Sequence, residues 1–109
     1  MKNFIRSIEW KSLFLVAIAF ALMSSAQADQ GLATKNQCMA CHAVDKKLVG
    51  PSYRDVAKRY AGNPQAQDLL TRSIKTGGQG KWGAIPMPAQ TKLSEEDARK
   101  LATWILEIK

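Results

Sequence analysis

Apolar residues recur at helical spacing through the last part of the chain. After Ser94 they stand three or four positions apart, at Ala98, Leu101, Ala102, Ile105 and Ile108, with Trp104 and Leu106 on either side. Ser94 is a favoured N-cap residue, and the acidic residues at 95–97 suit the positive end of a helix dipole. The pattern therefore predicts a C-terminal helix that begins after Ser94 and buries one face.

Similar spacing predicts three more helices. One follows Pro51 and Ser52 and ends before Gly62, and its apolar positions are Tyr53, Val56, Ala57 and Tyr60. The next runs from about residue 65 to residue 76 with Leu69, Leu70 and Ile74 inward, and Gly77 and Gly78 end it. A helix leading into Cys38 has only a thin apolar face, formed by Gly31, Leu32 and Ala33.

The segment from Gly77 to Leu93 is rich in Gly and Pro and predicts one long loop. A loop of that length in a compact domain usually carries function. No stretch alternates apolar and polar residues long enough to predict a strand, and no internal repeat or second domain is visible. The fold class is therefore predicted as all-α, with four to five short helices.

The first 28 residues have the pattern of a cleaved secretory signal peptide. Lys2 and Arg6 precede an uncharged stretch that ends in Ala26-Gln27-Ala28, a small-residue cleavage site. The alternative is a transmembrane anchor. However, the strongly apolar part covers residues 13–23 only, about half of the ~20 residues that a span needs. We expect cleavage after Ala28, no stable membrane insertion afterwards, and a single domain over residues 29–109.

The remaining domain is short of large apolar side chains. Every Phe and Trp10 precede residue 29, so its aromatic residues are Tyr53, Tyr60, Trp82 and Trp104. A domain this small usually needs disulfides, a metal or a cofactor to complete its core. Only two Cys are present to attach one.

Those two Cys form the segment Cys38-Met39-Ala40-Cys41-His42, the C-x-x-C-H motif of covalent c-type haem attachment. Residues three apart lie on one side of a helical turn, so both thiols can add to the two vinyl groups along one porphyrin edge. His42 would then bind the iron. The motif predicts one haem c.

Three other uses of the cysteines are a thioredoxin-like redox pair, a structural disulfide and a zinc site. A redox pair favours a βαβ setting, and zinc usually needs four Cys or His ligands, whereas the chain contains a single His. A disulfide would suit an exported protein. None of the three explains the adjacent His42, so haem is the favoured interpretation.

The second axial ligand can be sought by elimination. Met1 and Met23 precede residue 29 and Met39 lies inside the attachment motif, which leaves Met87. Pro86 and Pro88 flank it, and Pro88 favours an extended conformation at Met87. A rigid extended segment would hold the thioether against iron, and His/Met ligation raises the reduction potential. The alternative is that Met87 only fills a gap in the core.

The glycines at 77, 78, 80 and 83 would let backbone approach the porphyrin closely. A phosphate-binding loop is excluded because Trp82, rather than Ser or Thr, follows Lys81. We expect Trp82 to contact the haem. Its indole N–H could donate a hydrogen bond to a haem propionate. The sequence is equally compatible with Trp82 as an ordinary core residue.

The formal net charge is +7, and the basic residues are spread along the chain. Nucleic-acid binding is not expected, because no basic run is interleaved with aromatic residues and the protein is predicted to be exported. Lys46, Lys47 and Lys81 could steer acidic partners, or could equally be ordinary solvated residues.

The sequence resembles the small class I bacterial cytochromes c, specifically the cytochrome c-551 group. The resemblance spans residues 29–109, through the C-x-x-C-H motif, Val49-Gly50-Pro51, Tyr53 with Asp55-Val56-Ala57, Gln79-Gly80 with Trp82-Gly83, and Ile85-Pro86-Met87-Pro88. It implies short helices around one covalent haem, with the first and last helices crossing. It also implies that the Pro51 carbonyl accepts a hydrogen bond from His42 and that Trp82 reaches a propionate.

The chain departs from that family in three places. Ser73, next to Arg72, stands where the family often has an Arg near the propionates. Ala33 replaces the usual aromatic of the first helix, which should loosen packing on Trp104. Gln90 is the nearest candidate for the Asn that orients the Met sulfur in relatives.

The resemblance implies a non-enzymatic, periplasmic electron carrier. It would shuttle between a membrane quinol-oxidising complex and an acceptor such as nitrite reductase or cytochrome oxidase, and a monomer is expected. The alternative is an open-site haem protein, either a peroxidase-like enzyme or a gas sensor. That function needs a vacant distal position with polar groups, and no second His is available.

Overall fold

The computed structural model describes residues 29–109, and the predicted signal peptide with its cleavage site lies outside these residues. Within residues 29–109 there are four α-helices: α1, helical over residues 29–35; α2, Tyr53–Tyr60; α3, Ala66–Thr76; and α4, Glu95–Leu106. A 3₁₀ turn, Cys38–Ala40, follows α1. In the described part of the chain there is no strand, and a single bridge pairs Gly78 with Met87. The all-α prediction is confirmed.

Two helices begin at serine caps, as their sequences predict. The Ser52 hydroxyl accepts a hydrogen bond from the Asp55 N–H, and the Ser94 hydroxyl accepts one from the Asp97 N–H, both at 3.1 Å. Each cap satisfies an N–H group that has no partner inside its helix. α4 is shorter than its apolar pattern suggests, since it ends at Leu106 and Ile108 lies beyond it, half-buried.

α4 lies at the centre of the core, because it packs against both α2 and α3. The buried apolar residues come from all four helices and from the residue before the Ser94 cap: Ala33, Tyr53, Val56, Ala57, Tyr60, Ala66, Leu70, Ile74, Leu93, Ala98, Leu101, Ala102, Trp104 and Ile105. Ala33 is fully buried within this cluster, so α1 joins the core through a small side chain. Between residues 29 and 109, no helix is long and apolar enough to cross a membrane.

Two segments outside the helices carry the predicted site. We call residues 36–51 the cysteine loop and residues 77–92 the methionine loop. The cysteine loop is joined to the start of α2, because the Tyr53 and Arg54 N–H groups donate to the carbonyls of Ala43 and Val44. The methionine loop is joined to α3, because the Gln90 N–H donates to the Ile74 carbonyl at 3.1 Å.

Candidate functional site

The two cysteines lie on one tight turn. The N–H groups of Cys41 and His42 both donate to the Cys38 carbonyl, at 3.2 and 3.0 Å. In a 3₁₀ turn, side chains at positions i and i+3 eclipse one another, so Cys38 and Cys41 share one side. The structure thus gives the predicted helical turn a 3₁₀ form, which suits two thioether bonds to one porphyrin edge.

Both thiols are free in the structure, with Cys38 half-buried and Cys41 exposed. Burial raises the pKa of the Cys38 thiol, although a backbone hydrogen bond at Cys38 opposes the shift. Thiols in redox-active C-x-x-C pairs have a lowered pKa. The thioredoxin-like alternative therefore gains no support from the environment of Cys38.

His42 is held by a hydrogen bond to the segment that follows it. Its Nδ1 lies 2.8 Å from the Pro51 carbonyl oxygen, which is the contact that the resemblance implies. A carbonyl can only accept, so Nδ1 carries the proton and donates. The lone pair is then on Nε2, which is the atom free to bind a metal.

Gly50 and Tyr53 enclose the same imidazole. A Cβ at residue 50 would lie 2.5 Å from His42 Cε1, so only glycine fits there. The Tyr53 ring stacks on the imidazole with a centroid distance of 5.1 Å and an angle of 19° between planes. Burial also raises the pKa of the Tyr53 phenol well above its ordinary value, so this side chain stays neutral. The pattern of the sequence placed Tyr53 in the core without indicating this contact.

Met87 lies in extended backbone, as predicted. Its N–H donates to the Gly78 carbonyl at 2.8 Å, and the Gly78 N–H donates back to the Met87 carbonyl at 3.1 Å. A Cβ at residue 77 would lie 2.3 Å from the Met87 carbonyl oxygen, and the φ of Gly77 is +69°. The structure gives Gly77 this protein contact, where the sequence suggested approach to a porphyrin. Ligation of iron by Met87 stays a prediction.

Trp82 is half-buried and has a cation against its ring. The Arg59 guanidinium carbon lies 4.5 Å from the ring centroid, and Arg59 also donates to the Lys81 carbonyl at 2.6 Å. The Lys81 ammonium donates to the Tyr60 hydroxyl at 2.9 Å. These contacts attach the methionine loop to the last turn of α2. Arg59 was not identified as a site residue from the sequence, because nothing local marks its long-range contact with Trp82.

The departures from the resembled family are also visible. Arg72 is exposed on α3 and Ser73 is half-buried. The Gln90 side-chain amide donates to the Pro88 carbonyl at 3.0 Å, so it holds the backbone beside Met87. The suggestion that Gln90 orients the Met87 sulfur gains no contact in the structure.

The surroundings of these residues suit a large apolar group. Leu48 and Val49 in the cysteine loop are 41% and 51% exposed, and Ile85 in the methionine loop is 66% exposed. Among the described residues, these are the large apolar side chains that are exposed to solvent. They lie in the same two loops as His42 and Met87. Two thiols on one turn, an imidazole with free Nε2 and these apolar side chains fit a covalent haem.

Comparison with known proteins agrees with this donor set. The sequence model of the cytochrome c family matches residues 27–109. Cytochrome c-552 of Nitrosomonas europaea is 46% identical over 100 residues, which are 92% of this chain and 96% of that protein. Cytochrome c-551 of Pseudomonas aeruginosa is 46% identical over 99 residues, 89% of this chain and 94% of that protein.

The fold has a solved counterpart as well. The crystal structure of wild-type cytochrome c552 from Nitrosomonas europaea superimposes with a TM-score of 0.72 at 48% sequence identity. The match covers 73% of this chain and 99% of that one. The similarity therefore extends across nearly the whole of the relative.

Proposed function

The chain belongs to the cytochrome c family, and on that premise we propose that it is a periplasmic one-electron carrier whose haem iron has His42 and Met87 as axial ligands. The coarser part of this statement follows from the family: a small electron-transfer protein with one haem c bound through Cys38 and Cys41. When bound, the haem supplies an iron that alternates between the ferrous and ferric states.

The observation that carries the proposal is the hydrogen bond from His42 Nδ1 to the Pro51 carbonyl. It fixes the tautomer and presents Nε2 as the proximal donor. His42 is the only histidine in the chain, so a second imidazole is not available. Met87, held in extended backbone against Gly78, is then the best candidate for the opposite ligand.

A closed iron favours electron transfer over catalysis. If His42 and Met87 both hold the iron, a peroxide or a gas would have no open position at which to bind. The same two ligands would serve the ferrous and the ferric state, which would favour rapid electron transfer. Export to the periplasm is supported by the signal-peptide pattern of residues 1–28.

Partners are proposed from the same reasoning. A soluble periplasmic carrier would take electrons from a membrane quinol-oxidising complex and pass them to a reductase or a cytochrome oxidase. Lys46 and Lys47 are exposed beside the cysteine turn and, within the described residues, form no ion pair. They are the best candidates for steering an acidic partner, whereas Lys81 is engaged with Tyr60.

The test of Met87 is the visible spectrum of the ferric holoprotein. We expect Met87→Ala to remove the sulfur-to-iron absorption band and to let the ferrous protein bind carbon monoxide rapidly. Met39→Ala, which removes the thioether inside the attachment motif, is the matched control and should keep the band. A band that survives in Met87→Ala would refute the ligand assignment, and rapid carbon monoxide binding by the unmodified protein would favour an open-site function.

A further inference from the structure

Tyr53 is joined to His42 by its ring and by its backbone. The two rings lie nearly parallel, with centroids 5.1 Å apart and planes 19° apart. The Tyr53 N–H donates at 3.0 Å to the carbonyl of Ala43, the residue directly after His42. Because Tyr53 is the first residue of α2, the helix holds its ring at a defined place beside the imidazole.

The Tyr53 ring also contacts Trp104 in α4. The two rings meet edge to face, with centroids 5.2 Å apart and an interplanar angle of 69°. Tyr53 is only 4% exposed and Trp104 is also buried, so the tyrosine ring cannot turn without displacing core side chains. His42 is thereby connected through Tyr53 to the central helix of the fold.

The hydrogen bond to Pro51 leaves one motion of His42 free. An imidazole with a single Nδ1 hydrogen bond can still rotate about the line that joins Nδ1 to the carbonyl oxygen. A flat aromatic face against the ring opposes that rotation, since tilting would bring the edges of the rings together. Gly50 packs so close to the imidazole that a Cβ would not fit, but it supplies no flat surface.

We propose that Tyr53 is the positioning residue for His42, and that its stacked ring sets the plane in which the imidazole approaches the iron. This inference rests on the proposed function, because it assumes that His42 is the proximal ligand. The orientation of the imidazole plane determines how its orbitals overlap with those of the iron. Such outer contacts tune a metal centre as well as orient its ligands.

The first test is a nuclear Overhauser measurement on the unmodified ferrous holoprotein, which is diamagnetic. We expect cross-peaks between the ring protons of Tyr53 and those of His42. Absence of these cross-peaks, with both residues assigned, would overturn the proposal without any variant. Loss of His42 ligation in that same protein would instead show up as a missing proximal-histidine signal, which contradicts the proposed function.

The second test compares variants in the ferric state, where the shifts of the haem methyl resonances respond to the orientation of the imidazole and of the second axial ligand. Tyr53→Phe keeps the ring and should keep the pattern of methyl shifts. Tyr53→Leu removes the flat face and should change that pattern, with a change in reduction potential. Tyr53→Met also removes the flat face, and its flexible unbranched side chain can adapt to the space that the ring leaves.

Leu70→Ala is the control for lost packing. Leu70 is buried in α3 as part of the helical core and lies in neither loop. Its replacement should lower stability and leave the methyl shifts as they are. The proposal is wrong if folded, haem-loaded Tyr53→Leu or Tyr53→Met has the wild-type methyl pattern, or if Leu70→Ala changes the pattern equally.

Discussion

The helical core and the two loops differ in how they exclude water. Each of α2, α3 and α4 contributes at least four buried residues, whereas residues 36–51 and 77–92 contain none. The loops are ordered by hydrogen bonds, such as those from His42 to Pro51 and between Gly78 and Met87. The comparison indicates that the helices form a core from their own side chains, whereas the two loops rely on the haem as their core.

Removing the covalent attachment of the haem should have the largest effect on the loops. We expect the double variant Cys38→Ala/Cys41→Ala to lose the covalent haem and most of its helical circular dichroism, because the loops then have no apolar centre and the domain is small. Met39→Ala alters the same turn without removing a thiol and should remain folded. A haem-free double variant that unfolds cooperatively with full helicity would show that the core is sufficient alone.

A cavity in the helical core should lower stability without altering the haem site. Leu101 in α4 is 2% exposed, and Leu101→Ala should reduce the free energy of unfolding by about 2–5 kcal/mol through lost burial and an unfilled cavity. The sulfur-to-iron band should be retained in the folded protein. Denaturant unfolding of the holoprotein measures the loss. Loss of the band at native conditions would mean that core and loops are less separate than described.

Gly77 tests the methionine loop from its backbone. Gly77→Ala places a Cβ against the Met87 carbonyl at a positive φ, and we expect a loss of about 1–3 kcal/mol with a weaker sulfur-to-iron band. Gly62→Ala is the control, because Gly62 also has a positive φ, +76°, but no atom within 4 Å of the added Cβ. It should show a smaller loss and an unchanged band. Equal effects on the band would contradict the proposed role of the close contact.

The cation on Trp82 should have a smaller effect, because it is near the surface. Arg59→Ala removes the contact at 4.5 Å and should lower the free energy of unfolding by about 0.5–1 kcal/mol. Arg59→Lys keeps the charge without the planar guanidinium, so its free energy of unfolding should lie between those of the unmodified protein and Arg59→Ala. Urea unfolding followed at the haem band measures both variants. Identical midpoints for all three proteins would show that Arg59 does not hold the methionine loop.

Charge reversal at the exposed lysines should change association and leave stability within about 0.5 kcal/mol. We expect Lys46→Glu/Lys47→Glu to slow electron transfer to an acidic partner at low ionic strength and to lose that effect at high salt. Lys92→Glu, an exposed charge change in the methionine loop, serves as the control. Equal slowing by the control, or none by the pair, would exclude local steering.

The helices were predictable because their causes are local. Ser52 and Ser94 cap the segments that follow them, and apolar residues recur within one turn of each other, so neighbours in sequence are sufficient to define each helix. The end of α4 was not predictable in this way, because the apolar pattern continues to Ile108 while the helix ends at Leu106. The donor set was equally local, since Cys38, Cys41 and His42 lie within one turn.

Local sequence patterns were sufficient to predict the all-α fold, the haem-binding motif and the extended backbone at Met87, because helical periodicity, i, i+3 spacing and proline geometry act over a few residues. The residues that surround the proposed ligands follow only from how the helices and loops pack together. Three contacts join parts of the chain that the turns bring together: Tyr53 stacked on His42, the Arg59 guanidinium on Trp82, and Gly77 close to Met87. Such contacts depend on the relative placement of whole elements, which no local pattern specifies.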